Sequence, residues 1–209
     1  MMKDSLAPAC PAAPARGRPR EFNPDEALAA ALRVFWEHGY EGASLAELTE
    51  AMGIAKPSLY ACFGNKEALF RQALDLYERE KLRYVRTALQ APTAREVAER
   101  MLRGAIDNIC SANDPTGCLG VISSMTCGTE ARAVRGEIIA RRASSQAALV
   151  ERLAQAKASG DLPADADPEA LAEFLTAVLQ GLSLKAADGV GRNVLEGIVR
   201  TTLTCWPSH

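Results

Sequence analysis

The residues able to do chemistry are six cysteines, two histidines and a group of lysines, serines and a tyrosine between Ser44 and Lys66. The histidines lead nowhere: His38 sits beside the glycine that closes a helix pattern and His209 is the last residue. No Cys/His or Ser/His/Asp set is in view. The stretch "GVGRN" lacks both the preceding strand and the spacing of a dinucleotide fingerprint. The expectation is therefore no enzyme and no cofactor. Cys10, Cys62, Cys110, Cys118, Cys127 and Cys205 are scattered, unlike a secreted disulfide framework. Cys110, Cys118 and Cys127 also lack the close pairing of zinc ligands, so no metal is expected. One sharper reading remains open. "TGCLG" puts Cys118 near a helix start, where the dipole favours a thiolate, so Cys110, Cys118 or Cys127 could serve as a redox or electrophile sensor. The other reading is that they are small buried hydrophobes.

The elements that would position these groups are helices. Of the 209 residues, 48% are hydrophobic and only 5% aromatic, with alanine prominent, which favours closely packed helices over a sandwich of sheets. The expected class is all-α. The net charge of -2 does not suggest a nucleic-acid partner for the molecule as a whole, so any such contact must be local. Residues 1–16 read as a flexible arm running into the basic "ARGRPREF". Lys3, Arg16, Arg18 and Arg20 outnumber Asp4 there, opposite in sign to the whole chain. No signal-peptide core precedes Cys10 and no later stretch is expected to approach membrane-spanning length, giving a cytoplasmic expectation.

Asn23 and Glu26 around Pro24 predict a capping box and a first helix, ending at Gly39 with Leu28, Ala31, Leu32, Phe35 and Trp36 on one face. Ser44 and Glu47 predict a second box and a helix of about nine residues up to the Gly53 turn. Pro57, Leu59 and Phe63 mark a third helix stopped by Gly64. Asn65 then caps a fourth that continues through Tyr77 and Tyr84 towards Ala88. Five more are expected: from Thr93 (boxed by Glu96) to Ala112, Leu119 to about Cys127, Thr129 to Ser159, Asp167 to Ala187, and Arg192 to about Trp206.

Two short helices joined by a glycine turn form a helix-turn-helix pattern, whose second helix enters the DNA major groove. Carried by "GRPR", "FWEHGYEGAS" and "LAELTEAMGIAKPSLYACFGNKEALF", residues from Gly17 to about Glu80 resemble the DNA-binding domain of TetR-type transcriptional regulators. The rest of the chain is similar in helix pattern and in fragments such as "GCL", "DLPADADPEALA" and "LQGL". The resemblance implies a three-helix DNA-binding domain over 17–64, joined by a long helix to an effector-binding and dimerisation domain over 65–209. It implies phosphate contacts from Ser44, Tyr60 and Lys66, base-edge contacts from Lys56, Pro57, Ser58 and Ala61, and Arg18 and Arg20 on the backbone or in a minor groove.

It further implies a homodimer that reads a palindromic double-stranded operator. Apolar stripes offer Leu171, Leu175, Leu179 and Leu182, then Leu195, Ile198, Val199, Thr202, Leu203 and Trp206, as the interface; an internal core is the competing reading. The middle helices would enclose a small, largely apolar effector, with Tyr84, Met101, Ile106, Cys110, Cys118, Val121, Ile122, Met125, Phe174 and Val178 as candidate lining. The expected function is a repressor released by that effector. A helical interaction module without DNA binding is the alternative of another class.

Overall fold

The computed structural model describes residues 22–126 and 131–207, with the side chains of 124–126 left aside. Ten helices make up these residues: α1 (Pro24–Gly42), α2 (Leu45–Ala51), α3 (Lys56–Phe63), α4 (Lys66–Glu80), α5 (Arg83–Leu89), α6 (Ala94–Ile109), α7 (Leu119–Thr126), α8 (Arg132–Ala158), α9 (Pro168–Ala187) and α10 (Arg192–Thr204). No strand occurs among the described residues, in keeping with the all-α expectation.

Local chemistry accounts for most boundaries. The Ser44 hydroxyl accepts from the Glu47 amide at 3.1 Å while the Glu47 carboxylate accepts from the Ser44 amide at 2.8 Å, so the second capping box forms as read. The other two expected boxes do not. Asn23 caps α1 by accepting from the Asp25 amide, and Glu26 turns outward to take the Asn23 side-chain amide. Thr93 caps α6, but the Glu96 carboxylate goes to Arg100 at 2.8 Å. Gly39 breaks α1 at φ 70°, ψ 178°, and one further turn follows it to Gly42.

The expected fourth helix is two. No Pro or Gly interrupts it; the chain turns after Glu80 because both Lys81 and Leu82 amides close on the Tyr77 carbonyl. Lys81 then reaches Asp114 at 2.6 Å, and Leu82 packs against the N-terminal core. Tertiary contacts override a helix-permissive sequence here.

Two hydrophobic cores result. The first joins Ala31, Leu32, Phe35 and Trp36 of α1 with Leu48, Leu59, Phe63, Leu69, Phe70 and Tyr77 of α2–α4, and it takes in Leu119 of α7 and Val134 and Ile138 of α8. The second is built from α5, α6 and α8–α10. Helix α7 lies along α1, so a helix from the middle of the sequence forms part of the first core.

Helix α9 is the one described helix long and apolar enough to cross a membrane, at a mean hydropathy of 1.2, which corrects the expectation that no stretch approaches that length. It packs on α6, α8 and α10 as a bundle helix. On its outward side, between Glu173, Gln180 and Lys185, Phe174 and Leu184 are 44% and 42% exposed, and Val194 of α10 is 52% exposed.

Candidate DNA-reading face and effector cavity

Helix α3 is oriented by what it buries. Leu59 and Phe63 sit fully in the first core, so Lys56, Pro57, Tyr60 and Ala61, at i, i+1, i+4 and i+5, share the exposed face. Lys56 Nζ lies 5.9 Å from the Tyr60 ring centroid, an exposed cation–aromatic pair at the tip. Ser58 and Cys62 lie half-buried at its flanks. Ala55 at the N-cap offers no side-chain cap, leaving the positive end of α3 open.

Ser44 is exposed at the start of α2. Lys66, the first residue of α4, holds its ammonium 4.7 Å from the Tyr40 ring centroid. Burial pulls Lys66 below the usual ammonium range, while Glu41 and Glu47 act in the opposite direction. Tyr40 was not singled out by sequence reasoning; the aromatic two residues after His38 reads as a helix-end residue until the Lys66 contact is seen. Arg18 and Arg20 lie outside the described residues. Ser44, Lys56, Pro57, Tyr60 and Ala61 are thus exposed on α2 and α3, Ser58 is partly covered, and Lys66 stands beside them.

The second feature is a cavity of about 190 Å³ between α4–α9, bounded by Leu74 and Tyr77 of α4, Tyr84 of α5, Met101, Ala105, Asn108 and Ile109 of α6, and Cys118, Gly120 and Val121 in and before α7. Arg141, Arg142, Ser145, Gln146 and Leu149 of α8 with Thr176, Leu179, Gln180 and Ser183 of α9 close it. Its volume is below the roughly 300 Å³ at which drug-sized sites begin. Of the sequence candidates, Tyr84, Met101, Cys118 and Val121 line it.

Ile106 is 2% exposed in the second core, and Cys110 and Val178 pack against that core. Ile122 packs against the first, and Phe174 faces outward. The side chain of Met125, and Cys127 altogether, are outside the described residues. Sequence reasoning missed Arg142, Gln146 and Thr176, and Gln180 at the cavity's exposed edge. Polar residues on long helices ordinarily mark a solvated face, and only the packing of α8 on α9 covers the first three.

Among the expected interface residues, Leu175, Leu182, Leu195, Val199, Leu203 and Trp206 belong to the protomer's own core and Thr202 is a buried polar residue, in keeping with the internal reading for them. Leu171 and Ile198 pack at its edge, and Leu179 also lines the cavity. A stripe on a helix buried from two sides cannot be assigned to one side by periodicity.

Cavity and reading head share parts. Helix α4 carries Leu74, Tyr77 and Glu78 into the cavity wall and Leu69 and Phe70 into the first core. The Trp36 indole donates to the Gly117 carbonyl at 3.0 Å, one residue before Cys118, and Tyr77 stacks edge-on against Trp36 with centroids 4.7 Å apart. Arg33 reaches the Asn113 carbonyl. On the opposite flank, Arg71 and Arg141 converge on Glu137 at 2.6 and 2.7 Å, and Arg141 also binds Asp75 at 2.7 Å and Glu78 at 3.0 Å. Burial works to raise the Glu137 carboxyl, but the hydrogen bonds from Arg141 and Arg71 hold it below the usual range.

A helix-turn-helix head with an open recognition face, joined through α4, α7 and α8 to a cavity-bearing bundle, defines a DNA-binding transcriptional regulator. Residues 27–73 match the family described as bacterial regulatory proteins, tetR family, and residues 98–187 match the tetracyclin repressor-like C-terminal domain. The HTH-type transcriptional repressor ComR of Escherichia coli is 38% identical over 194 residues, covering 92% of each chain. A structure of a cysteine mutant of the TetR family transcriptional regulator CifR, complexed with 26-base-pair double-strand operator DNA, is 48% identical. It superposes with a TM-score of 0.86 over 91% of this chain and 100% of that one. A TetR regulator structure from Rhodococcus sp. RHA1 is 34% identical, with a TM-score of 0.62 over 88% and 98% of the two chains. The chain belongs to the TetR family of transcriptional regulators.

Proposed function

We propose that this protein is a cytoplasmic, homodimeric repressor that holds a palindromic operator and is released by a small, largely apolar effector bound in the cavity between α4–α9. The observation that carries the proposal is the sharing of α4: the same helix supplies Tyr77 to the cavity and Leu69 and Phe70 to the core on which α3 rests. An effector that favours one position of α4 moves the reading head with it, which is the differential interaction a two-state switch requires.

On this reading Lys56, Pro57, Ser58 and Ala61 meet base edges, while Ser44, Tyr60 and Lys66 meet phosphates, joined by Arg18 and Arg20 of the arm. Two heads must span half-sites about 34 Å apart, so a second protomer is needed. The outward apolar face of α9 and α10, with Phe174, Leu184 and Val194, is the surface we assign to it. Gly181 has open space where a Cβ would stand, which allows a partner helix to approach closely. The domain limits we adopt are 17–64 for the head and 65–209 for the effector and dimer domain.

The ligand half is tested by Ala105→Leu, which fills part of the cavity from a buried wall position. The expected result is unchanged affinity for operator DNA with a rise of about tenfold or more in the effector concentration needed for release. Unchanged effector response would place the effector elsewhere.

A further inference from the structure

Tyr84 lies between two spaces. Inward it faces the cavity between α4–α9, and outward it borders a groove of about 800 Å³ between α5 and α6. Among the described residues, Tyr84 and Asn108 alone belong to both walls. The two spaces differ in chemistry. The cavity wall is largely apolar, whereas the groove is walled by ion pairs, Arg100 with Glu96 at 2.8 Å and Arg103 with Glu99 at 2.7 Å. Asn108 is exposed, yet its side-chain amide donates to the buried Tyr77 phenol at 3.5 Å, so solvent and cavity are one side chain apart there.

The Tyr84 ring has a seat shaped for it. Gly104 stands inside α6, where glycine weakens a helix, and its φ does not lie in the left-handed region that would call for one. A Cβ there would stand 2.4 Å from Tyr84 Cδ2, 2.7 Å from its Cγ and 3.0 Å from its Cβ, so the missing side chain is what lets the ring lie against α6. Packing alone holds the ring. Burial keeps the Tyr84 phenol protonated, and its hydroxyl makes no hydrogen bond among the described residues. Helix α5 also starts without a side-chain cap, at Leu82. A swing of the ring therefore breaks no hydrogen bond of its own.

We propose that Tyr84 is the entry gate of the effector cavity: seated on Gly104, its ring closes the passage between the α5–α6 groove and the cavity, and a swing into the groove admits a small ligand past Asn108. This rests on the reading of the cavity as the effector site and adds how that site is reached and which ligands reach it. The groove has room for the displaced ring. The passage selects as well as delays. A ligand must be narrow enough to pass between α5 and α6 and must leave a hydrated, ion-paired groove for an apolar chamber, so bulky or permanently charged compounds are turned away before the cavity wall can test them. The cavity rim is also exposed at Ser145 and Gln180. Gln180 is on the outward side of α9 assigned above to a second protomer, which leaves α5–α6 as the route away from that contact. A gate that opens only as a minor state slows entry and exit alike.

The test follows fluorobenzene, a neutral probe of the size that a small apolar cavity accepts, on the full-length protein by fluorine NMR. Titration gives the affinity, and exchange between free and bound signals gives the association and dissociation rates. Ala105→Leu, which fills the cavity, should remove the bound signal. Tyr84→Ala should raise the association rate by about tenfold or more, as expected where the open state is a minor one, and dissociation should rise with it. Gly104→Ala unseats the ring while strengthening α6, and it should raise association in the same direction. Tyr84→Phe keeps the ring and should stay within about twofold of wild type, since no hydrogen bond is lost. A ring that serves only as wall gives faster dissociation with association unchanged. That result in Tyr84→Ala, or wild-type rates in either Tyr84→Ala or Gly104→Ala, overturns the gate and leaves the cavity as the effector site. A bound signal that survives Ala105→Leu, or none in wild type and Tyr84→Ala alike, overturns the cavity reading itself and the gate with it.

Discussion

The two cores of this molecule are built from different materials. The first is aromatic and interlocked: Phe35 meets Phe70 edge-on at 5.0 Å, Trp36 meets Tyr77, and both pairs are almost fully buried. The second is assembled from Ala, Leu, Val, Ile and Met, with Trp206 as its one buried aromatic among the described residues. Large rings in fixed edge-to-face contacts leave one packing solution, whereas short aliphatic side chains between long helices tolerate a gap. The cavity lies where the two cores meet, with Leu74 and Tyr77 of the first core and Met101, Ile109 and Leu149 of the second in its wall. A stiff head beside an adaptable body is the arrangement a ligand-controlled reader needs, because the signal must shift the head as a unit rather than deform it.

The comparison breaks most visibly at its stiffest point. Phe70→Ala removes a fully buried ring from the first core and should cost about 3–5 kcal/mol, read by urea unfolding followed by circular dichroism. Leu195→Ala in the second core should cost less, towards 2–3 kcal/mol, if neighbouring aliphatic groups relax into the space. Equal losses at the two sites would erase the distinction.

A smaller effect isolates the joint between the cores. Trp36→Phe keeps an aromatic ring but leaves the Gly117 carbonyl without its indole donor, an expected loss of about 1–2 kcal/mol. The same variant should weaken the coupling of effector to DNA release more than it weakens DNA binding, as anisotropy with and without effector will register. Ser44→Ala deletes one half of a working capping box and should cost about 1 kcal/mol, within the head alone.

The smallest predicted effect concerns pH. Glu137 has its carboxyl lowered in the folded state, so the stability it contributes is present above the ordinary carboxylate range and is lost as pH falls through the lowered folded value. Glu137→Gln should flatten the acid limb of the stability profile and leave the neutral region nearly parallel to wild type. An unchanged acid limb would remove the Arg71–Glu137–Arg141 bridge from the account.

Legibility in the sequence follows the same division. Ser44, Glu47, Gly53, Pro57 and Gly64 each carry local backbone chemistry, so the head could be placed almost residue by residue. The break at Lys81 and Leu82 could not, because its causes are Asp114 and a core contact more than thirty positions away. Arg142 and Gln146 were illegible for a related reason: nothing near them in sequence distinguishes a polar residue facing a cavity from one facing water. Leu175 and Leu195 were visible as apolar but not as inward, since their helices carry apolar residues on two sides, and only Phe174, Leu184 and Val194 show by exposure which side is left uncovered.

The central claim is that the exposed face of α3 reads DNA, and the most direct measurement is fluorescence anisotropy of the chain's own upstream DNA titrated against a shuffled duplex at several salt concentrations. The account predicts tight, saturable binding to the upstream duplex with two protomers per site and a steep loss of affinity with salt. Lys56→Glu should weaken it by about 1–3 kcal/mol per half-site, and Tyr60→Ala should also weaken it, with folding unchanged in both. Binding of both duplexes equally, with neither substitution having any effect, would contradict it.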